Sequence, residues 1–233
     1  MSFWERSGFV GFCMLNDNEY MIRTDFLPRG GHIYVDTSMR WVCPNEEIEE
    51  DEKMALQRLR GFRDVFRKRG KVSTTPLILK EIEDGFYHHR KKKDYRRKAV
   101  KRTNKTKKSF KGDRLKEVQM VNEGWRESYN ESKKFCEVYK DIYKMLRKGM
   151  EMYSPKDVVS PKDIRQFVYD GNELSMADRE LVYTALVAGN GHGILSADKP
   201  LLDKYKRGAK EFYLPDAFIC DAIRGETCFA MGW

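Results

Sequence analysis

The sequence lacks any apolar run approaching the ~20 residues that cross a bilayer, so no membrane span is expected. Cysteine is sparse and unpatterned. Cys13, Cys43, Cys136, Cys220 and Cys228 are odd in number and show no Cys-x-x-Cys or Cys/His spacing. That argues against a disulfide framework and a structural zinc site, and it suits a reducing, cytoplasmic interior. The opening stretch MSFWERSGFVGFCML has no basic region followed by a long apolar run, so no secretory signal is expected. Histidine is also scarce. His88 and His89 adjoin a basic run, His32 and His192 each precede an expected strand, and no His-Glu-x-x-His or Ser/His/Asp pattern occurs. The glycine-rich GNGHGI at 189–194 follows a helix and precedes a strand, the reverse of a phosphate-cradling loop.

What the chain does have is charge, unevenly placed. Its net charge is +9 over 233 residues. Residues 85–116 hold 15 Lys/Arg against two Asp, which leaves the rest of the chain mildly acidic. A block of this kind attracts phosphate backbones by counterion release. Its candidate contacts are Arg90, Lys91, Lys92, Lys93, Arg96, Arg97, Lys98, Lys101, Arg102, Lys105, Lys107 and Lys108. Phe86, Tyr87, Tyr95 and Phe110 lie beside or among them and offer faces for base stacking. The plain alternative is a solvated loop or a targeting signal.

HIYVDTS (32–38) reads as a buried strand. Acidic NEEIEEDE (45–52) opens a helix running to Arg67, acids first and bases last as the macrodipole favours. KVSTT is a short strand, with Thr75 as N-cap and Pro76 as the first helical residue. After the basic block, apolar residues from Leu115 to Tyr153 recur at helical spacing, interrupted by Gly124. SPKD occurs twice, and the second copy starts a helix through Val168. SMADRELVYTALVAG (175–189) is a helix capped by Ser175, HGILSAD a strand, and KPLLDKYKRG a helix. KEFYL is expected as a strand and PDAFICDAIRG as a final helix. This alternation predicts an α/β fold with a mostly parallel sheet, whose sites form at the carboxyl ends of strands. The organisation expected is an N-terminal extension (1–31), a core of 32–86 and 161–233, and a basic, helical insertion (87–160).

Carboxylates mark those strand ends. Asp36 closes the first strand and Asp198 a later one. Asp178 fits a capping box with Ser175, but its place on the helical wheel turns it toward the apolar face, where an acid needs a functional reason. Glu81 and Glu83 both sit at the margin of an apolar stripe, and the wheel does not separate them. Asp203 and Asp216 fit helix-surface and capping roles better. Converging carboxylates stay ionised only beside a cation, and Mg²⁺ or Mn²⁺ suits an all-oxygen set.

In order and style, YVDTS, VSTTPLILKEI, MADRELVYTALVAG and GILSADKPLL resemble the motifs of PIN-domain nucleases. The resemblance spans roughly 32–86 and 161–220. It implies a three-layer α/β/α domain and a metal-dependent endoribonuclease that hydrolyses RNA phosphodiesters. It also implies Asp36, Glu81, Asp178 and Asp198 as catalytic and metal-binding acids, preferring Glu81 over Glu83. Ser38 matches a small hydroxyl residue near the metal, and Ser196 and Lys199 flank the last acid. RNA is the expected partner, although the basic block suits DNA as well. The helix at 115–153 is a candidate surface for a protein partner or self-association. Two other readings keep the fold: a non-catalytic RNA-binding scaffold, and a toxin-type ribonuclease held by a partner protein.

Overall fold

The computed structural model describes residues 30–40, 60, 63, 67, 71–152, 162–171, 173–221 and 226–230. The expected N-terminal extension up to residue 29, most of the helix expected at 45–67, and the first SPKD lie outside them; Arg60, Arg63 and Arg67 are helical. The chain is an α/β protein built on a five-stranded, mostly parallel sheet with a long helical hairpin. The strands are β1 (His32–Val35), β2 (Val72–Ser73), β3 (His192–Ser196), β4 (Phe218–Asp221) and β5 (Glu226–Phe229). Their order is β2-β1-β3-β4-β5, and only β5 runs antiparallel to its neighbour. The helices are α1 (Pro76–Lys107), α2 (Asp113–Met152), α3 (Lys162–Tyr169), α4 (Met176–Ala188) and α5 (Lys199–Glu211).

The central strands are short, apolar and sealed. Ile33, Tyr34, Val35, Ile194 and Leu195 are all buried, as expected of parallel strands covered by helices. α4 packs on β3 through Leu181, Val182, Ala185 and Leu186, and α5 packs on β3 and β4 through Leu201, Leu202 and Tyr205. α2 reaches the sheet at β2, where Gly149 lies against the Val72 carbonyl; any side chain there would strike backbone.

The basic block lies on α1, which runs unbroken from Pro76 to Lys107 across the boundary expected after residue 86. Three expectations need correction. KEFYL is not a strand. It is the end of α5, where Tyr213 takes the left-handed conformation (φ 55°). The Leu214 N–H bonds the Ala209 carbonyl and the Tyr213 N–H the Lys210 carbonyl, a Schellman ending. Pro215 follows it as a stop signal, and the FICD of PDAFICDAIRG is strand β4 instead of helix. Gly124 leaves α2 continuous over 40 residues, with open space where a side chain would stand.

Candidate active site

The chain leaves β1 for β2 on one side and returns to β3 on the other. The carboxyl ends of β1 and β3 therefore border the switch point at which an open α/β sheet forms its crevice. Asp36 follows β1 directly, and Asp198 lies two residues beyond β3. Short buried runs place them there: Val35, the last residue of β1, directly precedes Asp36, and Ser196, the last of β3, lies two positions before Asp198.

Asp36 is buried and held from several directions. The Ser196 hydroxyl donates to its Oδ2 at 2.8 Å, and the Ser38 N–H donates to the same atom at 3.1 Å. Ser38 Oγ lies 2.9 Å from Ser196 Oγ and accepts the Ala197 N–H at 2.9 Å; Ser196 Oγ accepts the Asp198 N–H at 2.9 Å. The serines thus lock the turn after β1 to the turn after β3, fixing both acids relative to each other. They also supply the buried Asp36 carboxyl with the donors that burial would otherwise deny it.

Glu81 enters from α1. The Thr37 hydroxyl donates to Glu81 Oε2 at 2.8 Å and lies 3.3 Å from Asp36 Oδ1, so one side chain spans both acids. Glu83 points to the opposite flank of α1, into a groove with Tyr87, Lys140 and Lys144. α4 faces the same flank as Glu81. The Leu77 N–H, one turn before Glu81, donates to Glu180 of α4.

Asp178 does form the capping box: the Ser175 hydroxyl and N–H both donate to its Oδ2, and its own N–H donates back to Ser175 Oγ. It is half-buried and not turned fully into the core. Partial burial raises its pKa above the usual aspartate range, the Ser175 hydroxyl opposes this, and the charge of Asp36 adds to the rise. Asp198 occupies the N-cap position of α5, where the Leu201 N–H approaches its carboxylate without closing a capping hydrogen bond. Burial raises its pKa first, then the charges of Asp178 and Asp36, with the Leu201 N–H opposing. Asp36, Asp178 and Asp198 therefore share one electrostatic environment. Lys199 is exposed at the first position of α5.

Among the described residues, no three His, Cys, Asp or Glu side chains are drawn together into a finished metal-ligand set. The donor chemistry still fits a hard cation: oxygen donors that repel one another. Mg²⁺ in particular keeps several waters and takes only one or two carboxylates directly.

Two residues escape the sequence reading. Thr37 stands inside the YVDTS motif, where the hydroxyl neighbouring Asp36 is the available signal. Asp221 ends β4 in register with Ser196. It is a third strand-end carboxylate, hidden because FICD reads as helix.

Most of the expected nucleic-acid contacts lie on the solvent side of α1: Arg90, Lys91, Lys92, Arg97, Lys98, Lys101, Arg102, Lys105 and Lys108 are exposed, and Lys93 and Lys107 are half-buried. Arg96 is the exception. It is buried in the hairpin and donates to Ser132 Oγ and the Ser128 carbonyl, so it does not face a nucleic acid. Phe86 stacks toward Tyr139 inside the hairpin, whereas Tyr87 and Tyr95 remain open to solvent. Comparison with known proteins yields no match: no family model, no curated protein and no solved structure aligns with this chain.

Proposed function

We propose that this chain is a metal-dependent endoribonuclease with a three-layer, PIN-like catalytic core, acting on RNA in the cytoplasm. One observation carries the reading. At the switch point of a parallel sheet, Ser38 and Ser196 tie the turns that carry Asp36 and Asp198 to each other, and Thr37 ties Glu81 to Asp36. Asp36, Glu81, Asp178 and Asp198 would hold Mg²⁺ or Mn²⁺, which when bound lowers the pKa of water and stabilises the leaving oxygen of a phosphodiester. Ser196 and Ser38 fix the direction of the Asp36 carboxylate. Thr37 holds Glu81 beside Asp36, and Lys199, exposed next to Asp198, carries a charge suited to a phosphate. The exposed ridge of α1 supplies the sequence-independent grip on the backbone.

Purified protein is incubated with single-stranded and structured RNAs in Mg²⁺ or Mn²⁺. Cleavage is expected, to be abolished by EDTA and by Asp36→Asn or Asp198→Asn while circular dichroism stays unchanged. The exposed basic ridge of α1 also suits a second reading, a non-catalytic RNA-binding protein. Wild-type protein that binds every RNA offered and cuts none would establish it over the first.

A further inference from the structure

The flank of α1 that carries Glu81 continues up the hairpin. At about 100° per residue, Glu81, His88, Lys92, Tyr95 and Ala99 form one stripe, each within about 40° of the direction of Glu81. Far along it, Tyr95 is 63% exposed, and its ring meets Trp125 of α2 edge-on with centroids 6.0 Å apart. Lys98, Ala99, Arg102 and Thr103 complete a pocket of about 360 Å³ around this pair. The hairpin does not need an exposed tyrosine here, because its seam is closed elsewhere by Arg96 with Ser132 and by Asn122 with Asn104. The larger groove between α1 and α2, about 730 Å³, lies on the opposite flank with Glu83, Arg90 and Lys144 and does not lead to the acids.

We infer that the Tyr95–Trp125 pocket receives an unpaired base of a single-stranded RNA whose backbone runs along this flank into the strand-end cleft. The direction of the strand rests on the nuclease reading above; the pocket itself does not. Tyr95 lies 14 positions beyond Glu81, a rise of about 21 Å along α1, the length of a few nucleotides of extended strand. Every base has a π-face, so an aromatic pair flanked by Lys98 and Arg102 grips single strands with little regard to sequence. A duplex keeps its bases stacked inside and cannot use the pocket.

The test measures fluorescence anisotropy of a labelled, mixed-sequence single-stranded RNA, and of a duplex of equal length, on the full chain in EDTA. Tyr95→Ala and Trp125→Ala are each expected to weaken single-strand binding on the order of tenfold. Tyr95→Phe retains it, and duplex binding is unchanged. Lys144→Ala, on the far flank, leaves single-strand binding as in wild type. Wild-type affinity in both alanine variants, equal loss for single strand and duplex, or no single-strand binding at all would overturn the pocket. Cleavage in Mn²⁺ is scored separately. Binding through the pair without cutting removes the nuclease reading alone, and full cutting by Tyr95→Ala with unchanged affinity removes the pocket alone.

Discussion

The sheet and the distal hairpin align their elements by different means. Between β1, β3 and the covering helices, the facing residues are Val35, Leu195, Leu181 and Leu186, all buried and apolar. Between α1 and α2, beyond the aromatic cluster of His89, Phe135 and Tyr139, the buried facing residues are polar. Arg96 donates to Ser132, Thr103 donates to Asn122 Oδ1 at 2.7 Å, and Asn122 donates to Asn104 at 3.0 Å. An apolar core supplies stability but tolerates sliding; a satisfied polar seam supplies little net stability yet fixes one register. The acids sit where stability is concentrated. The basic ridge sits on the half that is held mainly by direction.

The contrast predicts unequal responses. Leu181→Ala, at a fully buried position against β3, should lower unfolding free energy by about 3 kcal/mol in a urea titration. A loss under about 1 kcal/mol would mean that the sheet half is not the stable one.

Acid should act on the sheet half next. His32 and His192 face each other across β1 and β3, ring centroids 5.3 Å apart, at the end of the strands opposite the acids. Burial, then the proximity of His192 and Lys71, lowers the pKa of His32 to about 3. It is therefore neutral in the fold. The unfolded chain binds the extra proton below its ordinary value, so stability is full above about pH 6.5 and falls as pH drops toward 3. The contribution is on the order of a few kcal/mol. His32→Phe should flatten this part of a melting-temperature-against-pH curve; an unchanged curve would show that other groups set it.

A smaller effect of opposite sign is expected at the acids. Asp198 has a raised pKa, so the folded chain holds its proton more tightly than the unfolded chain, and ionisation weakens the fold as pH rises through that interval. Asp198→Asn should melt slightly higher than wild type at pH 7 in EDTA and gain less from added Mn²⁺. A lower melting temperature in EDTA would mean that Asp198 acts as a structural cap. The smallest change belongs to the seam. Arg96→Met removes a buried cation, and Ser132 keeps its bond to the Ser128 carbonyl at 3.0 Å. Stability should shift by less than about 1 kcal/mol, and RNA affinity should not change; a marked fall in affinity would return Arg96 to the contacts.

The sheet half is the more legible of the two in sequence. β1, β3, the Thr75-Pro76 start of α1 and the Ser175-to-Gly189 limits of α4 follow from β-branched runs and capping residues that carry their own local signals. The capping box is legible too, although Asp178 is less turned to the core than its wheel position suggests. The basic stretch of α1 is not, because its inward positions are Arg96 and Thr103 and offer no apolar period to find. β4 is obscured for a different reason. Pro215-Asp216 imitates a helix start, and only the tertiary ending of α5 reveals it as a stop. The same imitation conceals Asp221.

The continuity of α1 has one more consequence. Glu81 and the aromatic pocket belong to a single unbroken rod, so under the proposed function the spacing between cut and grip would be counted in helical residues, as on a ruler. Seven residues added between Gly85 and Tyr95 would lengthen that ruler by about 10 Å with little rotation, whereas five would swing the pocket to the far side of the rod. The length of the fragment released would then be written into the helix itself.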